Sequence, residues 1–177
     1  MNENEYLAGI LNDQFQRDSP VVLVSLLNLK GSSPRHEGSK LLVTADGKSY
    51  GTIGGSILEA SAINKAKYAL KTKKPDLFRF DMAATGTGSE GMMCGGNAEV
   101  LISYLDPSPA NKKLAERWLA AVTGGKDCFL LTFFDGDEGS VQIGGRSLMF
   151  KDGSLLGDMS LDEAATGKIK EALRTVT

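Results

Sequence analysis

Apolar and polar positions along the chain predict an alternation of helices and strands. Apolar residues recur at helical spacing in Glu3–Arg17, and Val21–Leu29 is a continuous apolar run rich in β-branched residues, typical of a buried strand. Proline residues separate several of these segments. Further strands are predicted at Ser39–Thr44, Ser49–Ile53, Leu77–Met82 and Ala98–Leu105, and further helices at Leu58–Lys71 and Asn111–Val122.

The second half of the chain resembles the first. The apolar run Lys126–Phe134 matches Val21–Leu29, Arg146–Phe150 matches Ser39–Val43, and the helical pattern Leu161–Arg174 matches Leu58–Lys71. An Asp-Gly hairpin turn occurs in each copy, at Asp46-Gly47 and Asp152-Gly153. The pattern predicts an α+β fold: a mixed β-sheet built from two related strand–hairpin–helix units flanked by helices. We expect a single domain over residues 1–177, with a motif-bearing half at 20–105 and a repeat-like half at 126–174.

The two copies differ at their loops. The first copy has Gly54-Gly55-Ser56 ahead of its helix, where the second has Met159-Ser160 and no glycine pair. The first loop of copy one holds Ser32-Ser33-Pro34-Arg35, whereas copy two has the acidic stretch Asp135–Glu138. This difference places function in the first copy and in the later loop around Cys94.

Composition and charge exclude several classes of protein. The chain has 177 residues, 41% of them hydrophobic and 24% charged, as in ordinary globular proteins. A net charge of -2 and a pI near 5.5 argue against nucleic-acid binding, and no apolar run approaches about 18 residues, so no membrane span is predicted. The two cysteines, Cys94 and Cys128, lie in different settings and form no disulfide framework. Together with the absence of a secretory pattern at the N-terminus, this indicates a reduced, cytoplasmic protein.

Cys94 lies in the glycine-rich stretch Gly91–Gly96. Glycines let the backbone approach a ligand closely, and an accessible thiol in a polar setting can act as a thiolate nucleophile or ligand. The alternative is a small residue in a tight turn before the strand Ala98–Leu105. Cys128, inside an apolar run, is predicted to be a buried hydrophobe.

The segment Gly51–Glu59 predicts a strand, a glycine turn and the start of a helix. Backbone N–H groups at such a turn suit an anion such as phosphate. Ser56 is also a plausible N-cap, with Glu59 at capping-box spacing, so both residues have a structural explanation as well. The segment has neither the P-loop ending nor the dinucleotide-binding fingerprint.

The loop from Gly31 to Lys40 is long for a hairpin and carries hydroxyl and basic groups. Arg35 could bind phosphate or the edge of a planar heterocycle, and the alternative is an ordinary solvated loop. His36 is the single histidine, and no metal site is predicted. A cysteine-dependent hydrolase or transferase would need His36 beside Cys94, which the sequence does not establish.

Four ordered motifs resemble the XdhC/CoxI family of accessory proteins for molybdenum hydroxylases. The resemblance extends over about residues 20–105, and residues 126–174 resemble the family's continuation. The motifs are Gly31-Ser32-Ser33-Pro34-Arg35, Gly38–Val43 with Asp46-Gly47, Gly51-Thr52-Ile53-Gly54-Gly55 with Leu58-Glu59, and Cys94-Gly95-Gly96 with Glu99-Val100.

The resemblance implies a protein that binds the molybdenum cofactor, protects it while a cysteine desulfurase supplies sulfur, and delivers it to a xanthine dehydrogenase-type enzyme. It implies a chaperone role rather than turnover. A homodimer is a further expectation. The implied cofactor-binding residues are Ser32, Ser33, Arg35, Gly54, Gly55, Ser56, Glu59, Cys94, Gly95 and Gly96, with Cys94 as the reactive group.

The chain departs from the family pattern in two respects. Many relatives have a second cysteine after the glycine pair, where this chain has Ser56-Ile57, so a two-cysteine sulfur relay is not implied. Many relatives also continue into a C-terminal Rossmann domain, for which this sequence has no fingerprint; it is either a single-domain member or an excised N-terminal domain. The alternatives to a chaperone are a cysteine-dependent enzyme using Cys94 and a plain interaction module.

Overall fold

A computed structural model describes residues 2–30, 36–81, 97–157 and 161–173. The predicted helices and strands are confirmed within one to four residues at their ends. The helices are α1 (Glu3–Gln16), α2 (Ser56–Thr72), α3 (Pro109–Thr123) and α4 (Glu163–Leu173), and the strands are β1 (Val21–Lys30), β2 (Lys40–Thr44), β3 (Ser49–Gly51), β4 (Asp76–Asp81), β5 (Asn97–Leu105), β6 (Cys128–Asp135), β7 (Gln142–Phe150) and β8 (Leu155–Gly157).

The α+β class is confirmed, but the single mixed sheet is wrong. The strands form two separate sheets, with orders β3-β2-β1-β5-β4 and β6-β7-β8, and every pairing among the described strands is antiparallel. β1 has β2 on one edge and β5 on the other, and β6 pairs with β7 of its own hairpin and not with an outer strand of the first sheet.

The five-stranded sheet is buried on both faces. On one face, residues of β1, β2, β4 and β5 pack against α2 through small residues such as Ala62 and Ala66, both 0% exposed. On the other face, Leu23 and Leu42 pack against α1, α3 and Leu148 of β7. This sandwiching explains why β1 reads as a continuous apolar run instead of an alternating one.

The internal repeat is visible in the strand registers. In the first hairpin Leu41 pairs with Gly51 and Leu42 with Tyr50, and in the second Ser147 pairs with Gly157 and Leu148 with Leu156. The structure corrects the sequence alignment by one residue, because Arg146 takes the position of Lys40 and not of Ser39. Periodicity alone does not distinguish these two alignments.

Both hairpins depend on a glycine at the same position. Gly51 has φ +86° and Gly157 φ +147°, and a Cβ would lie 2.6 Å from the Lys40 carbonyl oxygen and 2.3 Å from the Arg146 carbonyl oxygen, respectively. At both positions the positive φ and the close carbonyl oxygen exclude a side chain. The second unit nevertheless has fewer buried residues, and no residue of α4 with a described side chain is buried.

Candidate functional site

The three motif-bearing connections leave the five-stranded sheet at the same end. β1 ends at Lys30, β4 ends at Asp81 and β5 begins at Asn97, and the register places these three residues side by side. β3 ends toward the same end, at Gly51, and leads into the glycine turn. The topology therefore brings together the connections that the sequence singled out.

Six of the predicted site residues lie outside the described residues. They belong to the connections 31–35 and 82–96, and their predicted roles stay predictions. They are Ser32, Ser33, Arg35, Cys94, Gly95 and Gly96.

Glu59 fills the glycine turn with its own carboxylate. Its Oε2 accepts hydrogen bonds from Thr52 Oγ1 at 2.5 Å, from the Ile53 N–H at 3.1 Å and from the Gly55 N–H at 3.1 Å. The Gly54 N–H donates to Thr52 Oγ1 at 3.2 Å. The anion that the turn holds is therefore a side chain of the protein itself, bound through charge-assisted hydrogen bonds.

This geometry bears on the prediction for Gly54 and Gly55. Their N–H groups donate to Thr52 and Glu59 within the protein, and their predicted part in a phosphate site stays a prediction. The predicted capping box is also shifted, because α2 begins at Ser56 with Gly55, at φ 72°, as its N-cap. Glu59 reaches back to the N-cap N–H as a capping-box glutamate does, but from one residue further along the helix.

Lys40 and His36, which flank the end of the first loop, lie in different surroundings. Lys40 Nζ donates to the Gly38 carbonyl oxygen at 2.7 Å, and burial lowers the pKa of Lys40, with the charge of Glu3 acting in the opposite direction. His36 is exposed, and its carbonyl oxygen accepts hydrogen bonds from Ser39. Because Cys94 lies outside the described residues, a pairing of Cys94 with His36 stays a prediction.

A cavity of about 210 Å³ lies beside the ends of β1, β4 and β5. Its described lining is Asn28, Arg79, Asn97, Ala98 and Glu99. Arg79 Nε donates to Glu99 Oε1 at 3.2 Å, which orients the guanidinium across the neighbouring strands. This small cavity is thus lined by two carboxamides, a guanidinium and a carboxylate. It lies beside the strand ends that lead into residues 31–35 and 82–96.

The motifs and apolar patterns of the sequence do not single out these polar residues. Asn28 interrupts the apolar run of β1, and Asn97 directly follows the glycines of the Cys94 loop, which was the available signal. The pairing of Asn28 with Glu99 depends on a register shift between Leu26 and Asn28, and a pattern of apolar residues does not reveal such a shift.

The second cysteine, potential metal ligands and potential membrane-spanning helices do not extend this site. The prediction of a buried Cys128 is wrong, because the residue is only half-buried in the edge strand β6. Partial burial still raises the pKa of its thiol, and Asp127 acts in the same direction, which disfavours a reactive thiolate. Within the described ranges no group of three histidine, cysteine, aspartate or glutamate residues is arranged to hold a metal ion. None of the helices, over the residues the structure describes, is long and apolar enough to cross a membrane.

Comparison with known proteins gives matches to part of the chain. A family model described as the XdhC and CoxI family matches residues 15–81. The uncharacterized protein YqeB of Escherichia coli (strain K12) is 39% identical over 88 residues, which are 50% of this chain and 16% of that protein.

One solved structure shows the same fold. A crystal structure described as a xanthine dehydrogenase from Bacillus halodurans superposes with a TM-score of 0.74 and 20% identity, over 91% of this chain and 46% of that one. The chain thus spans less than half the length of both relatives. The family resemblance predicted from the motifs is confirmed for residues 15–81, which match the model of the XdhC and CoxI family.

Proposed function

We propose that this protein is an accessory factor that binds the molybdenum cofactor and assists its maturation or insertion into a xanthine dehydrogenase-type enzyme. The observation that carries the proposal is the match of residues 15–81 to the XdhC and CoxI family. The connections that follow β1, β3 and β4, which carry three of the four motifs, leave the sheet toward one end.

The cavity beside β1, β4 and β5 supports the proposal chemically. A pterin presents a planar edge of alternating donors and acceptors, and carboxamides such as those of Asn28 and Asn97 match both kinds of group. The Arg79 guanidinium is suited to a phosphate. A volume of about 210 Å³ is below that of sites for drug-sized ligands, so the described residues would hold one end of the cofactor and not the whole of it.

The roles of the residues follow from this placement. Asn28 and Asn97 would orient the ring, Arg79 would neutralise negative charge, and Glu99 would hold Arg79 in position. Glu59 would act indirectly, by fixing the glycine turn. When bound, the cofactor supplies the molybdenum centre that the recipient enzyme uses, and Cys94 is proposed to meet that end as a soft thiolate donor.

The test is retention of molybdopterin after anaerobic gel filtration, measured by the fluorescence of its oxidised pterin and by metal analysis. Wild type is expected to retain the cofactor, whereas Asn97→Ala and Cys94→Ala are expected to lose most of it. Asn12→Ala, on α1 and away from this end of the sheet, is the matched control and should retain it.

The outcomes separate the parts of the proposal. Retention by Cys94→Ala with loss by Asn97→Ala would keep the carrier and reduce Cys94 to a turn residue. Equal retention by wild type and Asn97→Ala would exclude the cavity as the binding site. No retention by wild type would overturn the carrier function of this chain.

A further inference from the structure

Three Asp-Gly dipeptides occur in this chain, at residues 46–47, 135–136 and 152–153. They share an intrinsic reactivity, because the nitrogen of a glycine that follows aspartate can attack the aspartate side chain with little steric hindrance. The product is a cyclic succinimide, which hydrolyses to aspartate or to isoaspartate. The structure gives the three dipeptides different surroundings.

The attacking nitrogen is held by a hydrogen bond in two of the three dipeptides. The Gly47 N–H donates to the Thr44 carbonyl oxygen at 2.8 Å, and the Gly153 N–H donates to the Phe150 carbonyl oxygen at 2.7 Å. These bonds close the two hairpin turns, so attack by either nitrogen requires its turn to open. Within the described residues the N–H of the exposed Gly136 donates no hydrogen bond.

The carboxylates of the three dipeptides differ in the same way. Asp46 Oδ1 accepts a hydrogen bond from Thr44 Oγ1 at 2.5 Å, and Asp152 Oδ1 accepts bonds from the Ser154 N–H at 2.8 Å and from its Oγ at 2.6 Å. These bonds lower the pKa of both carboxyl groups, which favours the ionised form, and only the protonated form reacts. The exposed Asp135 carboxylate has no hydrogen bond or ion pair to any described residue.

Asp135 also lies where the second hairpin opens most readily. It is the last residue of β6, and its pairing with Gln142 is the last of the β6–β7 ladder. Residues 136–140, which follow it, belong to no strand and are all exposed. Because terminal pairs of a ladder open before interior pairs, the Asp135 backbone can rotate as ring closure requires without unfolding the sheet.

We propose that Asp135-Gly136 is a modification site of this protein, at which aspartate converts to isoaspartate. The Gly136 nitrogen attacks Cγ of the protonated Asp135 side chain, so that an N–Cγ bond forms while the carboxyl hydroxyl and the amide proton leave as water. Water then adds to the succinimide. Cleavage of the N–Cγ bond returns aspartate, whereas cleavage of the bond between the nitrogen and the main-chain carbonyl carbon gives isoaspartate.

The modification falls beside a contact between the second hairpin and the five-stranded sheet. Val141 is 6% exposed and packs with Leu77 and Leu101. Isoaspartate lengthens the main chain by one carbon atom at position 135, so the pairing with Gln142 is lost and the segment that leads to Val141 must shift.

Prolonged incubation of the folded full chain at mildly acidic pH, where more carboxyl groups are protonated, tests the proposal. Isoaspartate is quantified by methyl transfer from S-adenosylmethionine with an isoaspartyl methyltransferase, and it is located by peptide mapping with electron-transfer fragmentation. We expect at least about tenfold more isoaspartate at Asp135 than at Asp46 or Asp152, because both reacting groups of the other two must first leave a hydrogen bond. Asp135→Glu should form none at this position, because it would have to close a larger ring.

The chain unfolded in urea is the matched control, since it keeps the three dipeptides and removes their surroundings. There the three sites should react at rates within about threefold of one another. A folded protein in which Asp135 reacts no faster than Asp46 and Asp152 would overturn the proposal. So would an excess at Asp135 that persists unchanged in urea, because the sequence and not the structure would then be its cause.

Discussion

The two hairpin units of this protein share a backbone and differ in what surrounds it. Both have an Asp-Gly turn, the same strand register, and a glycine packed against the carbonyl group of a basic residue, Lys40 or Arg146. In the first unit the strand β1 lies between two other strands and two helical layers. In the second unit β6 pairs, among the described strands, with β7 alone, and none of its own residues is buried.

The difference teaches that the hairpin is a scaffold and that its surroundings determine its use. The glycine turn held by Glu59 occurs in the first unit, beside the connections that carry the family motifs. The second unit contributes Leu148 to the core beneath α1 and α3 and presents its apolar strand at the surface. One copy therefore carries the candidate site, and the other contributes to the core beneath it and leaves a strand edge at the surface.

The largest expected effect is a difference in the free energy of unfolding between alanine variants of two leucines at equivalent positions. Leu23 in β1 is 2% exposed, and its counterpart Leu130 in β6 is only partly buried. Leu23→Ala should lower the free energy of unfolding by about 3 kcal/mol, and Leu130→Ala by roughly 1 kcal/mol, because the cavity cost applies fully only to the first. Urea denaturation at low protein concentration measures both, and equal losses would contradict the contrast.

The next largest effect concerns the glycine that both hairpins have at the same position. Gly51→Ala and Gly157→Ala should each cost roughly 2 to 3 kcal/mol, because a Cβ meets a carbonyl oxygen and φ is positive at both sites. Gly139→Ala is the control, since φ is +80° but nothing lies within 4 Å of its Cβ, and it should cost about 1 kcal/mol. A loss at Gly157 no larger than at Gly139 would show that the second hairpin relaxes where the first does not.

A smaller effect concerns the feature found in the first unit. Glu59→Gln keeps the shape of the side chain but removes the charge that accepts three hydrogen bonds, so we expect a loss of about 1 to 2 kcal/mol. In phosphate titrations followed by amide NMR, the Gly54 and Gly55 signals of wild type should not shift, because their N–H groups have internal acceptors. A saturable shift at these two amides would support the phosphate site predicted from the sequence.

The smallest effect is a pH dependence at the hairpin turns. Hydrogen bonds from Thr44 and Lys48 lower the pKa of Asp46 from 3.8 to about 2, and bonds from Ser154 lower the pKa of Asp152. A lowered carboxyl pKa adds stability above the unfolded-state value, and this is lost as the pH falls toward the folded-state value. Asp46→Asn and Asp152→Asn should each reduce stability near neutral pH and not near pH 2, which acid titrations of thermal unfolding can measure.

Local elements were predictable from the sequence, whereas their assembly was not. Helix spacing, apolar runs and Asp-Gly turns depend on neighbours in the chain, and the elements they predict agree with the structure. β1 and β6 have similar apolar runs, but the burial of a strand depends on partners distant in sequence. The division of the strands into two sheets depends on pairings between distant segments, such as that of β5 with β1, which no local pattern encodes.

The candidate site was predictable to the same extent. The motifs indicated the family and marked one end of the sheet for the candidate site, because glycine and hydroxyl residues cluster in those connections in a fixed order. The spacing of Ser56 and Glu59 indicated a helix start, but not that one carboxylate oxygen would occupy the turn. Asn28, Arg79 and Asn97 become neighbours only through strand register, which the sequence does not specify.

The carboxylate of Glu59 also links two motions. Glu59 lies in the first turn of α2, while its hydrogen-bond donors Ile53 and Gly55 lie before the helix. The turn cannot release these amide protons to solvent without losing its hold on the helix end, so their exchange should proceed at the opening rate of the first turn of α2. Fraying of one helix end would thereby set how often the glycine turn is free to rearrange.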